Sequence, residues 1–254
     1  MLQPAPFRYK QYYLFENFPN SDLLCAFSTR ISGNMSLSYG DTANALENRK
    51  NFLEGSGIDY RDLVCTKQIH GNAVRYIQKI DIGRGALSYD NAVSDTDALI
   101  TDKKNVPLSI FTADCLSVFL YDSKTPSIGL VHAGWRSSQE NIAPEAVKLM
   151  QEKFNTKLED LYASFGPAIR DCCYEVGKEF AEYFSSECLI KRGGRYYLDL
   201  AGINKKQLLA GGVQDKNIFD SKICTSCRSE DFFSYRKEGK GCGRVMSVMM
   251  LKGS

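Results

Sequence analysis

The amino-acid sequence predicts an α+β fold, a single layered domain over residues 1–254 in which mixed β-sheets are flanked by helices. Residues 106–121 and 127–131 are almost uninterrupted apolar runs, which are typical of strands covered on both faces. Segments with helical spacing follow and precede such strands in an irregular order, which favours mixed sheets over a regular βαβ series. No internal repeat or linker divides the chain, so we expect one domain.

The individual elements follow from local patterns along the chain. Residues 23–27 form the first predicted strand, and turn residues such as Gly33 and Gly40 come after it. Residues 43–55 carry apolar side chains at helical spacing and end at a glycine. Further helices are predicted over Ile142–Phe154, 177–184 and 200–209. Further strands are predicted over residues 63–66, 73–78, 98–100, 106–121, 127–131, Leu161–Phe165 and Val245–Leu251.

Composition and charge disfavour several functional classes. The net charge is +2, and the charged residues (24%) lack the clustering of a nucleic-acid-binding surface. No apolar stretch approaches the roughly 20 residues of a membrane span, and residues 1–6 lack a signal-peptide pattern. Nine irregularly spaced cysteines favour reduced thiols. We therefore expect a cytoplasmic protein with no nucleic-acid or membrane partner, acting on a small anionic or phosphorylated molecule.

The chain contains two histidines, His70 and His132, and each lies in a motif that includes a glycine. Between them, Asp114 and Cys115 interrupt an apolar run, and burying such groups costs free energy unless they have partners. Zinc accepts imidazole and thiolate ligands. His70, Cys115 and His132 would supply three ligands and leave a fourth position for water, the arrangement of catalytic zinc. Asp114 would act as proton acceptor or orient a ligand.

Other interpretations of these residues remain open. A cysteine beside one histidine is enough for a metal-free thiol nucleophile, although the second histidine favours the metal. Cys224 and Cys227 form a single Cys-x-x-Cys motif, which Cys172, Cys173 or Cys242 could join. One such motif is weak evidence for a metal or redox site. We therefore expect these five cysteines to be buried apolar thiols.

Arginine side chains are candidates for binding an anionic substrate, because the planar guanidinium donates two hydrogen bonds to a phosphate or carboxylate. Arg30 ends the first strand, and Arg49 lies on the first predicted helix. Arg136 comes shortly after His132, and Arg236 lies in an aromatic-rich segment. Most arginines are surface residues, so each of these four is only a candidate.

Seven motifs, in order along the chain, resemble those of one known family. They include the sequence His-Ala-Gly-Trp-Arg that begins at His132, and the match runs from about Phe27 to Met246. The motifs lie at residues 66–71, 97–101, 112–116, 132–136, 166–169, 172–177 and 233–236. The chain is similar to the laccase-domain family, whose members are also described as multicopper polyphenol oxidase-like proteins, peptidoglycan editing factors or purine nucleoside phosphorylases.

The resemblance implies a fold similar to that of bacterial toxin deamidases with a Cys–His pair, and zinc held by His70, Cys115 and His132. The implied substrates are purine nucleosides and inorganic phosphate. The implied reactions are phosphorolysis of adenosine, inosine and methylthioadenosine, and deamination of adenosine to inosine. Arg49 matches an arginine of the family and is the best phosphate-contacting candidate, while Gln68 would line the same pocket.

The resemblance leaves two further functions open. Copper-dependent phenol oxidation is suggested by the family's older name, but two histidines are too few for a multicopper centre. Editing of peptidoglycan precursors rests on the family association alone. Near the pocket, Ser137 stands where the family usually has glycine, and Ser32 stands in a loop where it often has another glycine. The preferred nucleoside and the oligomeric state are therefore not predicted.

Overall fold

Two mixed β-sheets lie face to face at the centre of the computed structural model, which describes residues 12–14, 18–19 and 22–253. The predicted α+β class, with mixed sheets and flanking helices, is confirmed. The prediction made for residues 1–6 falls outside the described residues. Among the helices that are described, none combines the length and apolar character needed to cross a membrane.

The described residues contain β-strands, α-helices and short 3-10 helices. The strands are β1 (Tyr12–Leu14), β2 (Leu23–Ser28), β3 (Val64–Cys65), β4 (Val74–Tyr76), β5 (Ala98–Thr101), β6 (Leu108–Thr112), β7 (Leu116–Asp122), β8 (Ser127–Ala133), β9 (Leu161–Phe165), β10 (Glu175–Val176), β11 (Leu189–Arg192), β12 (Arg195–Leu198), β13 (Ile218–Asp220) and β14 (Val245–Leu251). The α-helices are α1 (Thr42–Leu53), α2 (Trp135–Gln139), α3 (Ile142–Phe154), α4 (Leu200–Ala210) and α5 (Tyr235–Glu238). The 3-10 helices are Arg30–Ser32, Tyr60–Asp62, Lys79–Asp81, Tyr89–Asn91, Lys178–Glu182, Asp215–Asn217 and Gly239–Gly241.

The two large sheets each combine parallel and antiparallel pairs. The five-stranded sheet has the order β1-β2-β14-β6-β3, and its β3–β6 pair is parallel. The six-stranded sheet has the order β13-β9-β7-β8-β5-β4, and its two outermost pairs are parallel. A third, antiparallel sheet has the order β10-β12-β11.

The large sheets share a buried apolar layer, and helices cover their outer faces. On β14, Met246, Val248 and Met250 pack with the residues of α1, whereas Val245 and Met249 pack with the six-stranded sheet. Helices α3 and α4 cover the far side of that sheet. Successive strand residues point to opposite faces, so a strand buried on both faces is apolar throughout. Each such large side chain contributes about 1.5–3 kcal/mol on burial.

Helix α1 carries an arginine on its buried face. Asp41 caps the helix, because its carboxylate accepts a hydrogen bond from a backbone N–H of the first turn at 3.0 Å. Ala45, Arg49, Phe52 and Leu53 are buried, which is the spacing of one helical stripe. Arg49 therefore points into the protein, with only 1% of its surface exposed.

Two segments differ from their sequence predictions. The apolar run over residues 106–121 divides into β6 and β7, which belong to different sheets. Residues 177–184 contain a 3-10 helix instead of an α-helix. Phe180 there contacts the rings of Trp135 and Phe184, and this aromatic cluster fixes the segment without an amphipathic stripe. The strands of the small sheet and the short helices α2 and α5 were not predicted.

Candidate active site

Residues 113–115 cross from one large sheet to the other. β6 ends and β7 begins on either side of them, and the chain turns at Asp114, whose φ is 86°. A non-glycine residue rarely adopts a positive φ, and such backbone strain is common at functional sites. The crossing leaves Cys115 half-buried, immediately before the first residue of β7, an inner strand of the six-stranded sheet.

His132 lies near the end of the neighbouring inner strand, β8. β7 and β8 are antiparallel with Ser117 opposite His132, so the end of β8 lies beside the start of β7. Gly134 follows β8 and allows a close approach of three segments. A Cβ atom on Gly134 would lie 2.9 Å from Cδ2 of His70 and 3.2 Å from Sγ of Cys115.

A single buried carboxylate, Asp97, holds both histidine-bearing segments. Its Oδ1 accepts hydrogen bonds from Nδ1 of His132 at 2.7 Å and from the backbone N–H of His70 at 3.0 Å. Its Oδ2 accepts from the backbone N–H groups of Ile69 at 3.1 Å and Gly71 at 2.9 Å. These bonds hold the turn in which His70 has a φ of 62°. Because Asp97 engages Nδ1 of His132, Nε2 is the nitrogen left to bind a ligand.

The three expected ligand atoms lie close enough for one metal ion. One ring nitrogen each of His70 and His132 and the sulfur of Cys115 lie within 4.8 Å of one another. The distance from Cys115 Sγ to His70 Nε2 is 3.8 Å. A tetrahedral zinc ion, with bonds of about 2.3 Å to sulfur and 2.0–2.1 Å to nitrogen, separates two such atoms by about 3.6 Å. The donor types and their spacing therefore fit zinc.

Cys115 and His132 also stabilise each other's charged forms. Burial disfavours the thiolate, but the adjacent imidazoles outweigh it and lower the pKa of Cys115 to about 6. Burial likewise disfavours the imidazolium, but the Cys115 thiolate and the Asp97 carboxylate raise the pKa of His132 to about 9. Both pKa shifts favour a thiolate beside an imidazolium in the metal-free pair. The thiolate is the form that a metal ion or an electrophile requires.

The three side chains line a cavity of about 530 Å³. Small-molecule sites occupy roughly 300–1,000 Å³, so the cavity has the volume of a ligand site. Its wall combines flat aromatic rings with cationic groups. The aromatic residues are Tyr39, Tyr89, Phe111, Trp135, Tyr174 and Tyr235, and the arginines are Arg49, Arg136, Arg236 and Arg244. Such a lining suits a flat ring together with an anion.

The carboxylate of Asp114 binds two other segments of the chain. Its Oδ1 accepts a hydrogen bond from the Thr225 hydroxyl at 2.7 Å. Its Oδ2 accepts from the Ser234 hydroxyl at 3.1 Å and from the backbone N–H of Arg236 at 2.7 Å. Asp114 thus lines the cavity, and the residue that orients His132 is Asp97. A role of Asp114 as proton acceptor stays a prediction.

Gln68 and Arg49 line the cavity but are engaged by the protein backbone. The Gln68 amide accepts from the backbone N–H of Phe111 at 2.8 Å and donates to its carbonyl at 2.9 Å. Nε and Nη1 of Arg49 donate to three backbone carbonyls at 2.7–3.1 Å. Only Nη2 of Arg49 is left to contact a substrate, and its role in binding phosphate stays a prediction.

Arg136 and Arg30, the other two predicted substrate-binding arginines, lie in different places. Arg136 is exposed at the cavity wall, and its guanidinium lies 4.3 Å from the ring centre of Trp135. Arg30 is not among the cavity-lining residues. Its guanidinium donates to the carbonyls of Ser229 at 2.7 Å and Phe232 at 3.1 Å and pairs with Glu238. The structure therefore does not bring Arg30 to the site. Its guanidinium N–H groups are engaged instead by the segment around α5.

Sequence reasoning did not recognise the role of Asp97. A signal for it existed, because Asp97 directly precedes the fully buried strand β5. A carboxylate at such a position needs several hydrogen-bond donors, and the two histidine-bearing segments supply them. Arg244, which lines the cavity with its guanidinium 4.2 Å from the ring centre of Tyr39, had no comparable signal.

Both the sequence and the fold match known proteins. The family described as multi-copper polyphenol oxidoreductase laccase matches residues 27–252. The purine nucleoside phosphorylase YlmD of Geobacillus stearothermophilus is 34% identical over 225 residues, which cover 85% of this chain and 82% of that protein. Adenosine deaminase RL5, from an unknown prokaryotic organism, is 31% identical and 84% of each chain is covered. The crystal structure of YlmD from Geobacillus stearothermophilus has a TM-score of 0.92 at 30% identity, covering 98% of this chain and 99% of that one. The chain therefore belongs to the multi-copper polyphenol oxidoreductase laccase family.

Proposed function

We propose that the protein is a zinc-dependent enzyme of purine nucleosides, which phosphorolyses adenosine, inosine and methylthioadenosine and deaminates adenosine to inosine. The observation that carries the proposal is the convergence of His70, Cys115 and His132 on a cavity lined by aromatic rings and arginines. Relatives that are 34% and 31% identical bear the names purine nucleoside phosphorylase and adenosine deaminase. A purine ring and a phosphate are chemically suited to such a cavity.

The residues of the chain prepare a three-ligand zinc site. When bound, zinc supplies a Lewis acid with one open coordination position. Asp97 keeps the proton of His132 on Nδ1 and so presents Nε2 to the metal. The two imidazoles favour the thiolate of Cys115, and the exposed ring of His70 completes the set on the solvent side.

The cavity wall supplies separate groups for the two substrates. Trp135 and Tyr174 contribute aromatic surface to the cavity, against which a purine can pack. Arg136, Arg236 and Arg244 bring positive charge for a phosphate dianion. In phosphorolysis a phosphate oxygen bonds to C1′ of the ribose while the bond from C1′ to the purine nitrogen breaks, and the purine leaves with a proton. In deamination water adds at C6 of adenine and ammonia leaves.

A metal-free thiol hydrolase is the second candidate, and the geometry around Asp97 favours it. In such a hydrolase Cys115 would be the nucleophile and His132 the base. Asp97 would orient the base, because its Oδ1 lies 2.7 Å from Nδ1 of His132. This arrangement would need no metal. The ring of His70, however, has no place in such a triad, whereas a metal site uses it.

Metal analysis of the purified protein separates these two candidates. We expect His132→Ala to lose about one zinc ion per chain relative to the unsubstituted protein, because it removes one of three ligands. Cys188→Ala, which removes a buried thiol that does not itself line the cavity, is the control and should keep its metal content. Equal zinc content in the unsubstituted protein and His132→Ala, with stoichiometric reaction of Cys115 with a thiol reagent, would support the hydrolase instead.

Product analysis tests the reactions. Incubation with adenosine should yield adenine only when phosphate is present, and inosine whether or not phosphate is present. Ribose 1-phosphate should accumulate in step with the sum of adenine and hypoxanthine, because the inosine formed is also a substrate for phosphorolysis. Absence of all of these products, with copper-dependent oxidation of a phenol in their place, would reject the nucleoside assignment and favour the activity that the family description names.

We also propose a cytoplasmic location. All nine cysteines are free thiols, which is the state that a reducing compartment maintains. Fractionation of the producing cells, with the protein detected by antibody, tests this location, and recovery outside the cytoplasm would contradict it.

A further inference from the structure

Four cysteines outside the active site form a second cluster. Cys172 and Cys173 follow β9, whereas Cys224 and Cys227 lie in the turn after β13. Their sulfur atoms all lie within 4.8 Å of one another. The expectation that they are buried apolar thiols is wrong for three of them, because Cys172 and Cys227 are exposed and Cys173 is half-buried. Cys242 does not belong to the cluster, and its sulfur contacts Arg244 instead.

The spacing of the four sulfurs fits a tetrahedral metal ion. The Sγ of Cys227 lies 3.6 Å from that of Cys172 and 3.3 Å from that of Cys173. Four thiolates around zinc at about 2.3 Å stand about 3.8 Å apart. Within the Cys-x-x-Cys turn, the backbone N–H of Cys227 points at Sγ of Cys224 at 3.5 Å, and a donated hydrogen bond of this kind stabilises a thiolate.

Protein contacts outside the cluster already hold its two loops in register. Ala168 and Cys224 form a parallel bridge, in which Thr225 donates its backbone N–H to the carbonyl of Ala168 at 3.1 Å. The buried guanidinium of Arg170 binds both carboxylate oxygens of Asp220 at 2.8 and 3.0 Å. The same guanidinium donates to the carbonyls of Gly166 and Ile223, one on each loop. The four sulfurs are therefore brought together without a metal, so a metal ion would meet a formed site.

The four sulfur atoms of the cluster are crowded together. The Sγ of Cys227 lies 3.6 Å from that of Cys172 and 3.3 Å from that of Cys173, so several thiolates at once would repel one another. A divalent cation removes this obstacle, because a coordinated thiol loses its proton.

We propose that Cys172, Cys173, Cys224 and Cys227 bind a structural zinc ion, separate from the three-ligand site. Four protein thiolates fill a tetrahedral shell and leave no open position, which is the arrangement of structural zinc. The ion would join two loops that both reach the cavity. Tyr174, next to Cys173, lines the cavity, and Thr225, next to Cys224, donates to Asp114.

The test uses a protein that keeps the cluster intact but lacks the active-site ligands. The double variant Cys115→Ser/His132→Ala should still bind about one zinc ion per chain. Replacement of that zinc by Co²⁺ should give the intense thiolate-to-cobalt charge-transfer absorption of a tetrathiolate site. Because no cluster residue is changed, this measurement does not depend on whether cluster variants fold. It also does not depend on the proposed nucleoside chemistry.

A second variant shows which thiols hold the ion. Adding Cys224→Ser/Cys227→Ser to the double variant should remove the remaining metal and the cobalt absorption, whereas Cys188→Ala/Cys242→Ala should leave both unchanged. A chelator should make the exposed thiols of the cluster, Cys172 and Cys227, reactive in the double variant. The proposal is overturned if the double variant binds neither zinc nor cobalt. It is also overturned if mass spectrometry finds a disulfide within the cluster of protein purified under reducing conditions.

Discussion

Replacing Asp97 by asparagine tests whether one carboxylate positions both histidines. Each oxygen of Asp97 accepts two hydrogen bonds, from His132 and His70 on one side and from Ile69 and Gly71 on the other. The amide of asparagine keeps one acceptor oxygen and turns an NH₂ group toward two donors. Each buried donor left without an acceptor costs about 1–3 kcal/mol, so Asp97→Asn should destabilise the fold by about 2–6 kcal/mol.

Two measurements follow from this change. Thermal unfolding of the metal-free protein should shift down by roughly 10 °C, because 1 kcal/mol corresponds to about 2–4 °C for a chain of this size. Zinc affinity, measured by competition with a chelator of known affinity, should fall about 10–100-fold, as expected when the partner that orients a metal-binding histidine is lost. The cobalt absorption of the four-cysteine cluster should not change.

Asp102→Asn is the matched control for this experiment. Asp102 follows the same strand, β5, and its carboxylate accepts from the Tyr76 hydroxyl at 2.7 Å and pairs with Lys103, but about a third of its side chain is exposed. Its replacement should change stability by less than about 1 kcal/mol and zinc affinity by no measurable amount. If Asp97→Asn destabilises the fold but zinc affinity stays at the unsubstituted value, Asp97 is only a structural brace and our assignment of it as a positioning residue is wrong.

Three further predictions concern the same pocket. In metal-free protein, the rate of alkylation of Cys115 should fall only as the pH falls through about 6, because the thiolate persists above its pKa. His132→Ala should raise the pH at which the rate is half its maximum. An unchanged midpoint would exclude the proposed pairing of Cys115 with His132. Gly134→Ala should push away the ring of His70, because the added Cβ would lie 2.9 Å from Cδ2 of that ring. Zinc binding should weaken at least tenfold while the far-ultraviolet circular dichroism spectrum stays normal. Full zinc affinity would contradict the geometry. Arg49→Met should lower the free energy of unfolding by about 2–4 kcal/mol, because three backbone carbonyls lose their hydrogen-bond donor. Unchanged stability with a raised KM for phosphate would instead identify Arg49 as chiefly a substrate-binding residue.

The sequence predicted those features that depend on local pattern. The buried strands around Cys115 and His132 are apolar on both faces, so a polar residue at their ends stood out. The antiparallel pairing of β7 and β8 then brings the two ends together. The stripe of α1 also followed from helical spacing, and it carried Arg49 into the interior together with its apolar neighbours.

Features that depend on distant pairing could not be predicted in this way. Nothing local shows that residues 113–115 cross between sheets, because an apolar run has the same appearance in one sheet or two. The four-cysteine cluster joins segments about fifty residues apart, and the bridge from Ala168 to Cys224 aligns them.

The hairpin of β11 and β12, in contrast, had a local signal that could have predicted it. Gly193 and Gly194 both have positive φ, and a Gly-Gly pair favours a two-residue hairpin turn.

The position of β14 has a consequence for how the protein folds. This strand follows every other described strand in the sequence, yet it lies in the middle of its sheet, between β2 and β6. The hydrogen bond from the backbone N–H of Met246 in β14 to the hydroxyl of Ser28 in β2 joins residues 218 positions apart in the sequence. Contacts of such range slow folding, and until β14 arrives the edges of β2 and β6 remain open to other chains. Substitutions in β14 should therefore reduce the yield of refolding more than the stability of the folded protein, and dilution during refolding should recover that yield.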